Sequence, residues 1–329
     1  MSVLAATSSP SDPAELRLNL TVIGAGTWGS ALARLVQLNG HHVRLWSRDC
    51  LAMADPMTLA DAVLGAEIVL SAVSMKGVTS VAQQLQQISL PADAILVTAT
   101  KGLDPKTTRS PSQIFQQAFP DHAIAVLSGP NLSVEIAQGL PAATVIASKN
   151  KLAAETVQRL LSSDHFRVYT SLDPLGAELG GTLKNVVAIA VGVCDGLNLG
   201  TNAKSALITR ALPEVIRVGM RLGAADVETF YGLSGLGDML ATCSSHLSRN
   251  YRVGYGLAQG KTLEQILKEI KGTAEGVNTA DVLMAIADRE QIAVPIAREV
   301  DRLLKGKITP LQAVEALMER DLKPEARNL

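Results

Sequence analysis

A glycine-rich turn near the start of the chain limits the fold more than any other feature. The segment Gly24-Ala25-Gly26-Thr27-Trp28-Gly29 follows an apolar run and precedes a helical pattern. Its first glycine permits a tight turn, its second lets a pyrophosphate approach the backbone closely, and its third lets the helix pack on the strand. Free N–H groups at the helix start favour a pyrophosphate. The segment predicts a dinucleotide-binding Rossmann unit, with an empty Rossmann-like turn as the alternative.

Short β-branched runs alternate with amphipathic patterns from residue 18 to about residue 170. This alternation predicts a doubly wound parallel sheet covered by helices, an α/β fold. The predicted strands are Leu18–Ile23, His42–Trp46, Glu67–Val73, Ala94–Ala99, Ala123–Leu127, Ala143–Ala147 and Arg167–Thr170. The predicted helices are Trp28–Leu38, Gly77–Gln87, Ser112–Phe119 and Leu152–Leu161.

Helical patterns replace strand patterns after Asp173-Pro174. They predict an all-helical C-terminal domain with helices at Ala177–Asp195, Ala203–Leu222, Leu263–Ile270, Thr279–Asp288 and Pro310–Arg320. Pro213 removes a backbone donor within the second helix, so we expect a kink or break near Leu212. We therefore divide the chain into a disordered tail (1–16), a dinucleotide-binding domain (17–174) and a helical substrate domain (175–329).

Composition excludes several classes of function. A chain of 329 residues with a net charge of −1 and 3% aromatic residues lacks the basic field and stacking platforms that nucleic acids need. The apolar run Val186–Cys194 is too short to cross a membrane. Three cysteines and five histidines show no metal-ligand spacing. We expect a cytoplasmic, metal-free protein with no stable membrane insertion.

Polar residues follow three of the predicted strands. Arg48, at the end of the second strand, favours the 2′-phosphate of NADP, although the neighbouring Asp49 leaves NAD or a surface salt bridge open. Lys101-Gly102 and the segment 128–133 follow later strands at the edge where open α/β sheets bind ligands. Loop geometry alone could explain either of these two segments.

The helix at residues 176–191 is so apolar beyond Asn185 that it must be largely buried. Burial lowers the pKa of a lysine unless a carboxylate restores its charge, so Lys184 is a candidate for proton transfer. Asp238 is its candidate partner. In the polar segment 231–250, Ser248 is a candidate N-cap, and Arg249 and Asn250 then suit a phosphate at the helix start. A capped surface helix is the alternative.

Taken in order along the chain, these motifs resemble the NAD(P)-dependent glycerol-3-phosphate dehydrogenases. The resemblance covers residues 18 to 320 and includes Gly-Ala-Gly-Thr-Trp-Gly, Lys-Gly-Leu, Ser-Gly-Pro-Asn, Leu-Lys-Asn-Val-Val-Ala-Ile-Ala, Gly-Leu-Gly-Asp, Thr-Cys and Ser-Arg-Asn. It implies reversible reduction of dihydroxyacetone phosphate by NADH or NADPH to sn-glycerol 3-phosphate, which supplies glycerophospholipid synthesis. A homodimer is a candidate assembly.

The resemblance also implies roles for individual residues. The implied catalytic residues are Lys184 as general acid/base, Lys101 and Asp238. The implied substrate-binding residues are Lys101, Gly129, Asn131, Lys184, Asn185, Asp238, Ser248, Arg249 and Asn250. The implied cofactor-binding residues are Gly24, Gly26, Thr27, Trp28, Gly29, Arg48, Lys101, Ser133, Arg249, Thr273 and Glu275.

The chain departs from the family pattern at two places. Only about 18 residues separate Arg48 from the strand at Glu67, where the family usually has a longer excursion. That strand ends Ala72-Val73-Ser74-Met75-Lys76, where the family typically reads Val-Pro-Ser. These departures concern the cofactor side, and they keep two alternatives open: another two-domain reductase of hydroxyacids or ketoacids, and a nucleotide-sensing protein without catalysis.

Overall fold

A computed structural model describes residues 17–49, 57–270 and 272–322. The predicted tail 1–16 lies outside these ranges. Seven strands form one sheet in the order β2-β1-β3-β4-β5-β6-β7. They are β1 (Asn19–Ile23), β2 (His42–Trp46), β3 (Ile68–Ser71), β4 (Ile95–Thr98), β5 (Ile124–Ser128), β6 (Ala142–Ser148) and β7 (Phe166–Ser171). Six helices accompany them: α1 (Thr27–Leu38), α2 (Leu59–Val63), α3 (Met75–Gln86), α4 (Pro111–Ala118), α5 (Ser133–Ala137) and α6 (Lys151–Leu161).

Strand order places a crevice beside the glycine-rich turn. β1 pairs in parallel with β2 on one side and with β3 on the other, so the chain reverses its direction of winding there. Every residue of β3 and β5 is buried, because helices cover both faces of the sheet. Open α/β sheets bind ligands at such a reversal, outside the carboxyl ends of the strands. All seven predicted strands are present, within two residues at each end.

One strand runs against the expected direction. β6 pairs antiparallel with β5, so the expectation of a wholly parallel sheet is wrong. Between these strands lies α5, which has only five residues. A helix of that length spans about 8 Å and cannot carry the chain back to the opposite edge of the sheet. The chain therefore enters β6 from the carboxyl edge of β5.

Nine helices follow β7 in the described part of the chain, with no further strand there. They are α7 (Pro174–Gly196), α8 (Gly200–Arg221), α9 (Glu228–Tyr231), α10 (Asp238–Ser244), α11 (Arg249–Ala258), α12 (Leu263–Glu269), α13 (Glu275–Arg289), α14 (Pro295–Leu304) and α15 (Pro310–Met318). A Rossmann-like sheet followed by a helical region confirms the predicted fold class. The exact domain boundary at residue 174 stays a prediction.

Helix α7 is the axis of the helical region. Among the described residues it alone is long and apolar enough to span a membrane, yet 94% of that apolar window is buried inside the fold. It packs against β5 and β6 as well as α8, α10, α11 and α13. A Cβ on Gly254 of α11 would lie 1.8 Å from the carbonyl oxygen of Ile189, so glycine permits this close crossing. The crossing brings the start of α11 beside the middle of α7.

Helix α8 continues through Pro213 without a break. The expected break near Leu212 is therefore wrong. Leu212, Val215 and Ile216 are buried, and α8 packs along α7. Burial of these apolar side chains, at about 1.5–3 kcal/mol each, outweighs the roughly 3 kcal/mol that a proline costs inside a helix.

Candidate active site

The glycine-rich turn is shaped to leave one side open. Gly24 has φ +113°, which favours glycine, and its N–H donates to the carbonyl oxygen of Trp46 at 2.7 Å. A Cβ on Gly29 would lie 1.9 Å from the carbonyl oxygen of Gly24, whereas a Cβ on Gly26 would meet nothing within 4 Å. Helix α1 starts at Thr27 with no side chain capping its N–H groups. Open space at Gly26 and uncapped donors fit a pyrophosphate.

The remaining residues expected near a cofactor come from both halves of the chain. Trp28 is half-buried in α1, and Arg48 is exposed just beyond β2. Ser133 begins α5, while Thr273 is half-buried two residues before α13.

Glu275 connects the two halves of the molecule. Burial raises the pKa of its carboxyl group, while a hydrogen bond from the backbone N–H of Met75 and the charges of Arg249 and Lys76 oppose this rise. Its Oε2 is buried without a hydrogen-bond partner. A buried acceptor of this kind fits a donor group on a ligand.

One carboxylate joins two lysines that are distant in the sequence. Asp238, the first residue of α10, is 2% exposed. Its Oδ1 lies 2.9 Å from Nζ of Lys184 on α7, and its Oδ2 lies 2.5 Å from Nζ of Lys101, which follows β4. Lys101 also donates to the carbonyl oxygen of Gly129 at 3.2 Å. The structure thus brings together the lysine and aspartate that the sequence singled out, together with Lys101.

Burial controls the proton affinity of Lys184. The residue is 6% exposed. Desolvation lowers its pKa to about 8; attraction to Asp238 opposes this change and repulsion from Lys101 adds to it. A group with a pKa of about 8 exchanges protons readily near neutral pH. The arrangement can therefore donate and accept a proton at one fixed atom.

Two polar contributors to this cluster, Thr242 and Ser128, lay in motifs noted in the sequence but were given no individual role there. Nζ of Lys184 donates to the hydroxyl of Thr242, which itself donates to Oδ1 of Asp238 at 3.3 Å. Thr242 lies four residues after Asp238 on α10, and that spacing could have placed it on the same helix face. Oγ of Ser128 is buried without a partner, and a Cβ on Gly181 would lie 2.4 Å from it.

A π-helical turn at Leu233–Gly237 explains why glycines precede Asp238. A Cβ on Gly235 would lie 2.1 Å from the carbonyl oxygen of Phe230, and one on Gly180 of α7 would lie 2.9 Å from that of Ser234. Glycines therefore let this turn press against α7. Such turns are frequent at functional sites, and here the turn directly precedes Asp238 and places it beside Lys184.

The start of α11 lies beside this cluster. The hydroxyl of Ser248 accepts from the N–H of Tyr251 at 3.2 Å, which confirms the predicted N-cap. Arg249 is exposed. The side-chain amide of Asn250 donates to Oδ1 of Asn185 at 2.9 Å and accepts from the N–H of Gly276 at 2.9 Å. The buried Asn185 is thereby hydrogen-bonded, and one N–H of Asn250 remains for another acceptor.

The loop after β5 faces the same space. The side-chain amide of Asn131 donates to the hydroxyl of Thr144 at 2.9 Å, and that hydroxyl donates to the carbonyl oxygen of Ser128 at 3.1 Å. Oδ1 of Asn131 is buried without a partner. The loop therefore has one buried acceptor, Oδ1 of Asn131, without a hydrogen-bond partner near Gly129 and Lys101.

A dinucleotide cradle on one side and a buried lysine with a titratable proton on the other define a nicotinamide-dependent oxidoreductase. Two family models, those of the NAD-dependent glycerol-3-phosphate dehydrogenase N-terminus and C-terminus, match residues 19–58 and 52–154, and residues 173–315, respectively. The chain belongs to the NAD-dependent glycerol-3-phosphate dehydrogenase family, as the resemblance implied.

Individual relatives agree with this assignment. The chain is 62% identical over 310 residues to a glycerol-3-phosphate dehydrogenase, NAD(P)+, of Acaryochloris marina, covering 94% of this chain and 98% of the relative. It is 64% identical over 306 residues to the protein of that name from Synechocystis sp., covering 93% and 95%. A crystal structure of glycerol-3-phosphate dehydrogenase from Coxiella burnetii matches with a TM-score of 0.86 at 33% identity, covering 92% of this chain and 99% of that one.

Proposed function

We propose that this protein catalyses the NAD(P)H-dependent reversible reduction of dihydroxyacetone phosphate to sn-glycerol 3-phosphate. The observation that carries the proposal is the buried ion pair of Lys184 and Asp238, 2.9 Å apart, in a member of this family. A scaffold or sensor gains nothing from burying a lysine, since burial of a charge costs free energy. The product suits glycerophospholipid synthesis.

Lys184 is the general acid of the reduction. A bound nicotinamide supplies the hydride. Lys184 then donates its proton to the carbonyl oxygen of the substrate and takes it back in the reverse reaction. Asp238 and Thr242 fix the direction of the ammonium group, since both contact its Nζ.

Lys101 places a second positive charge at the same site. Two ammonium groups share the single carboxylate of Asp238, so the cluster carries a net charge of about +1 when both lysines are protonated. This charge stabilises the negative oxygen that develops during reduction. Gly129 and the unpaired Oδ1 of Asn131 orient the substrate hydroxyl in this proposal.

The start of α11 binds the phosphate. Ser248 caps the helix at the N–H of Tyr251, the helix dipole favours an anion, and Arg249 offers a planar fork of donors. Asn250 contributes its remaining N–H and Asn185 keeps it in place. The Arg249 side chain also lies beside Gly272, next to the proposed cofactor residue Thr273, since a Cβ on Gly272 would lie 2.4 Å from Nη1 of Arg249.

Residues at the carboxyl edge of the sheet and at the starts of α11 and α13 would hold the cofactor. The proposed contacts are Gly24, Gly26, Thr27, Trp28, Gly29, Arg48, Lys101, Ser133, Arg249, Thr273 and Glu275. We also propose that the protein is located in the cytoplasm and assembles as a homodimer. Sedimentation velocity would measure its oligomeric state.

Oxidation of NADPH with different carbonyl compounds tests the proposed reaction. We expect turnover with dihydroxyacetone phosphate and little with dihydroxyacetone or ketoacids. Preference for an unphosphorylated ketoacid would favour another two-domain reductase. Cofactor binding without turnover of any of these compounds would favour a sensor.

Replacing Arg249 with alanine should raise KM for dihydroxyacetone phosphate by about a hundredfold, since hydrogen bonds to charged groups contribute about 1.5–3 kcal/mol. Steady-state kinetics with saturating NADPH measures this change. Arg289→Ala is the matched control, because Arg289 ends α13 and pairs with Glu290 on the surface. An unchanged KM in Arg249→Ala would exclude Arg249 from phosphate binding.

Replacing Arg48 with alanine should raise KM for NADPH by about tenfold and leave KM for NADH nearly unchanged, because only NADPH carries a 2′-phosphate. Titration of each cofactor at saturating dihydroxyacetone phosphate measures both constants. Arg44→Ala is the control, since Arg44 lies on β2, the strand that precedes Arg48, and donates to the carbonyl oxygen of Leu64. Equal rises for the two cofactors would assign Arg48 to adenine or to structure instead.

A further inference from the structure

Thr182 connects α7 to the loop that carries Lys101. Its side-chain oxygen accepts a hydrogen bond from the backbone N–H of Gly102 at 3.0 Å, and Thr182 is fully buried. Gly102 directly follows Lys101 and has φ +151°, a conformation that favours glycine. On the other side of Lys101, the hydroxyl of Thr100 donates to the carbonyl oxygen of Val73 at 2.8 Å. The backbone around Lys101 is thus tied to the sheet before it and to α7 after it.

A second contact joins α7 to the far end of this loop. Glu178, 2% exposed, accepts from the N–H of Ser112 at 2.9 Å and from the hydroxyl of the same residue. Glu178 and Thr182 are four residues apart, so they lie on one face of α7. That face therefore holds the loop at both ends, residue 102 and residue 112.

The position of the loop decides where Lys101 meets Asp238. Lys101 comes from the sheet, whereas Lys184 and Asp238 come from the helical region. A Cβ on Gly181 would lie 3.4 Å from Cε of Lys101, so the lysine stem passes directly over α7. Loss of the Thr182 contact would leave the N–H of Gly102 buried without an acceptor and allow the loop to move away.

We infer that Thr182 is a positioning residue that holds Lys101 in contact with Asp238. Because Asp238 also contacts Lys184, Thr182 thereby fixes the position of Lys101 relative to Lys184. The inference rests on the proposed function for its kinetic consequence, but its structural part concerns only the free protein. Thr182 itself touches neither lysine ammonium group, and it acts through the backbone of Gly102.

The test compares Thr182→Val with Thr182→Ser in the full-length chain. Valine keeps the shape of threonine but removes the acceptor, whereas serine retains it. Trace acetylation with acetic anhydride, read lysine by lysine by mass spectrometry, reports how freely Lys101 leaves its carboxylate. We expect acetylation of Lys101 to rise about tenfold in Thr182→Val, and kcat to fall about tenfold, with serine close to the parent protein.

Thr21→Val is the matched control. Thr21 is also a buried threonine that is hydrogen-bonded to the backbone, although its hydroxyl donates, to the carbonyl oxygen of Ala62, and it lies on β1, a different part of the fold from α7. It should lose stability without a change in Lys101 acetylation. Unchanged acetylation of Lys101 in Thr182→Val would overturn the inference, as would an equal rise in Thr21→Val or Thr182→Ser.

Acetylation needs no turnover, so the inference and the proposed function can fail separately. If the parent protein does not reduce dihydroxyacetone phosphate, the proposed function fails while the change in Lys101 acetylation still decides the role of Thr182. If the parent is active and Thr182→Val reacts with acetic anhydride as the parent does, only the inference fails.

Discussion

Replacing Lys184 with methionine is expected to lower kcat for dihydroxyacetone phosphate reduction by about a thousandfold, the usual contribution of a positioned general acid. Methionine fills the buried space of the lysine stem but has no proton to give. Asp238 keeps Lys101 as a partner, so its carboxylate is not left without a counter-ion. The residues proposed to bind the phosphate are untouched, and KM for the substrate should therefore change far less than kcat.

The control for this experiment is Lys204→Met. Lys204 forms an ion pair of 2.7 Å with Asp195 near the other end of α7, and both side chains are about one quarter exposed. The variant removes a lysine from the same helical region without touching Asp238, and kcat should stay within about threefold of the parent. Turnover by Lys184→Met at the parent rate would refute the mechanism even if the substrate is right.

Patterns that depend on neighbouring residues in the chain predicted the fold well. Strand positions followed from β-branched runs, and the cofactor turn followed from the spacing of Gly24, Gly26 and Gly29. The helical region followed from the loss of those runs after residue 174. The N-cap at Ser248 was also readable, because a cap is a local interaction between residues a few positions apart.

Features that depend on tertiary packing were predicted poorly. The reversed direction of β6 depends on how far α5 can carry the chain, and continuity at Pro213 depends on burial against α7. The pairing of Asp238 with Lys184 is an exception, since it was predicted and is confirmed at 2.9 Å, although 54 positions separate the two residues and the crossing of α10 over α7 sets the distance.

The sequence missed residues whose importance comes from burial alone. Nothing in the local sequence pattern assigns a role to Glu178 or Thr182 on α7. In the fold both are buried, and burial raises the pKa of Glu178 to about 7 against the hydrogen bonds from Ser110 and Ser112. Their role follows from the loop they contact, which is some 70 residues earlier in the chain.

Replacing Asp238 with asparagine is expected to lower kcat/KM by about a hundredfold or more, because the two lysines lose the group that orients them. The effect on protonation is more specific than the loss of rate. Attraction to Asp238 raises the pKa of Lys184, whereas burial and the charge of Lys101 lower it. Without the carboxylate, burial and the charge of Lys101 still lower the pKa of Lys184, opposed only by the smallest contribution, that of Cys243, so this pKa should fall below about 8.

The fall in the pKa of Lys184 should change the pH dependence of both the reduction rate and the oxidation rate. Reduction needs protonated Lys184, so the parent rate should fall as pH rises through about 8, and oxidation needs the neutral amine, so its rate should rise over the same range. In Asp238→Asn both limbs of the pH–rate profile, the fall of the reduction rate and the rise of the oxidation rate, should move to lower pH by about one unit or more. Asp195→Asn, which affects the separate pair with Lys204, should leave both limbs in place. Limbs that stay at the parent pH in Asp238→Asn would show that this carboxylate orients Lys184 without controlling its proton.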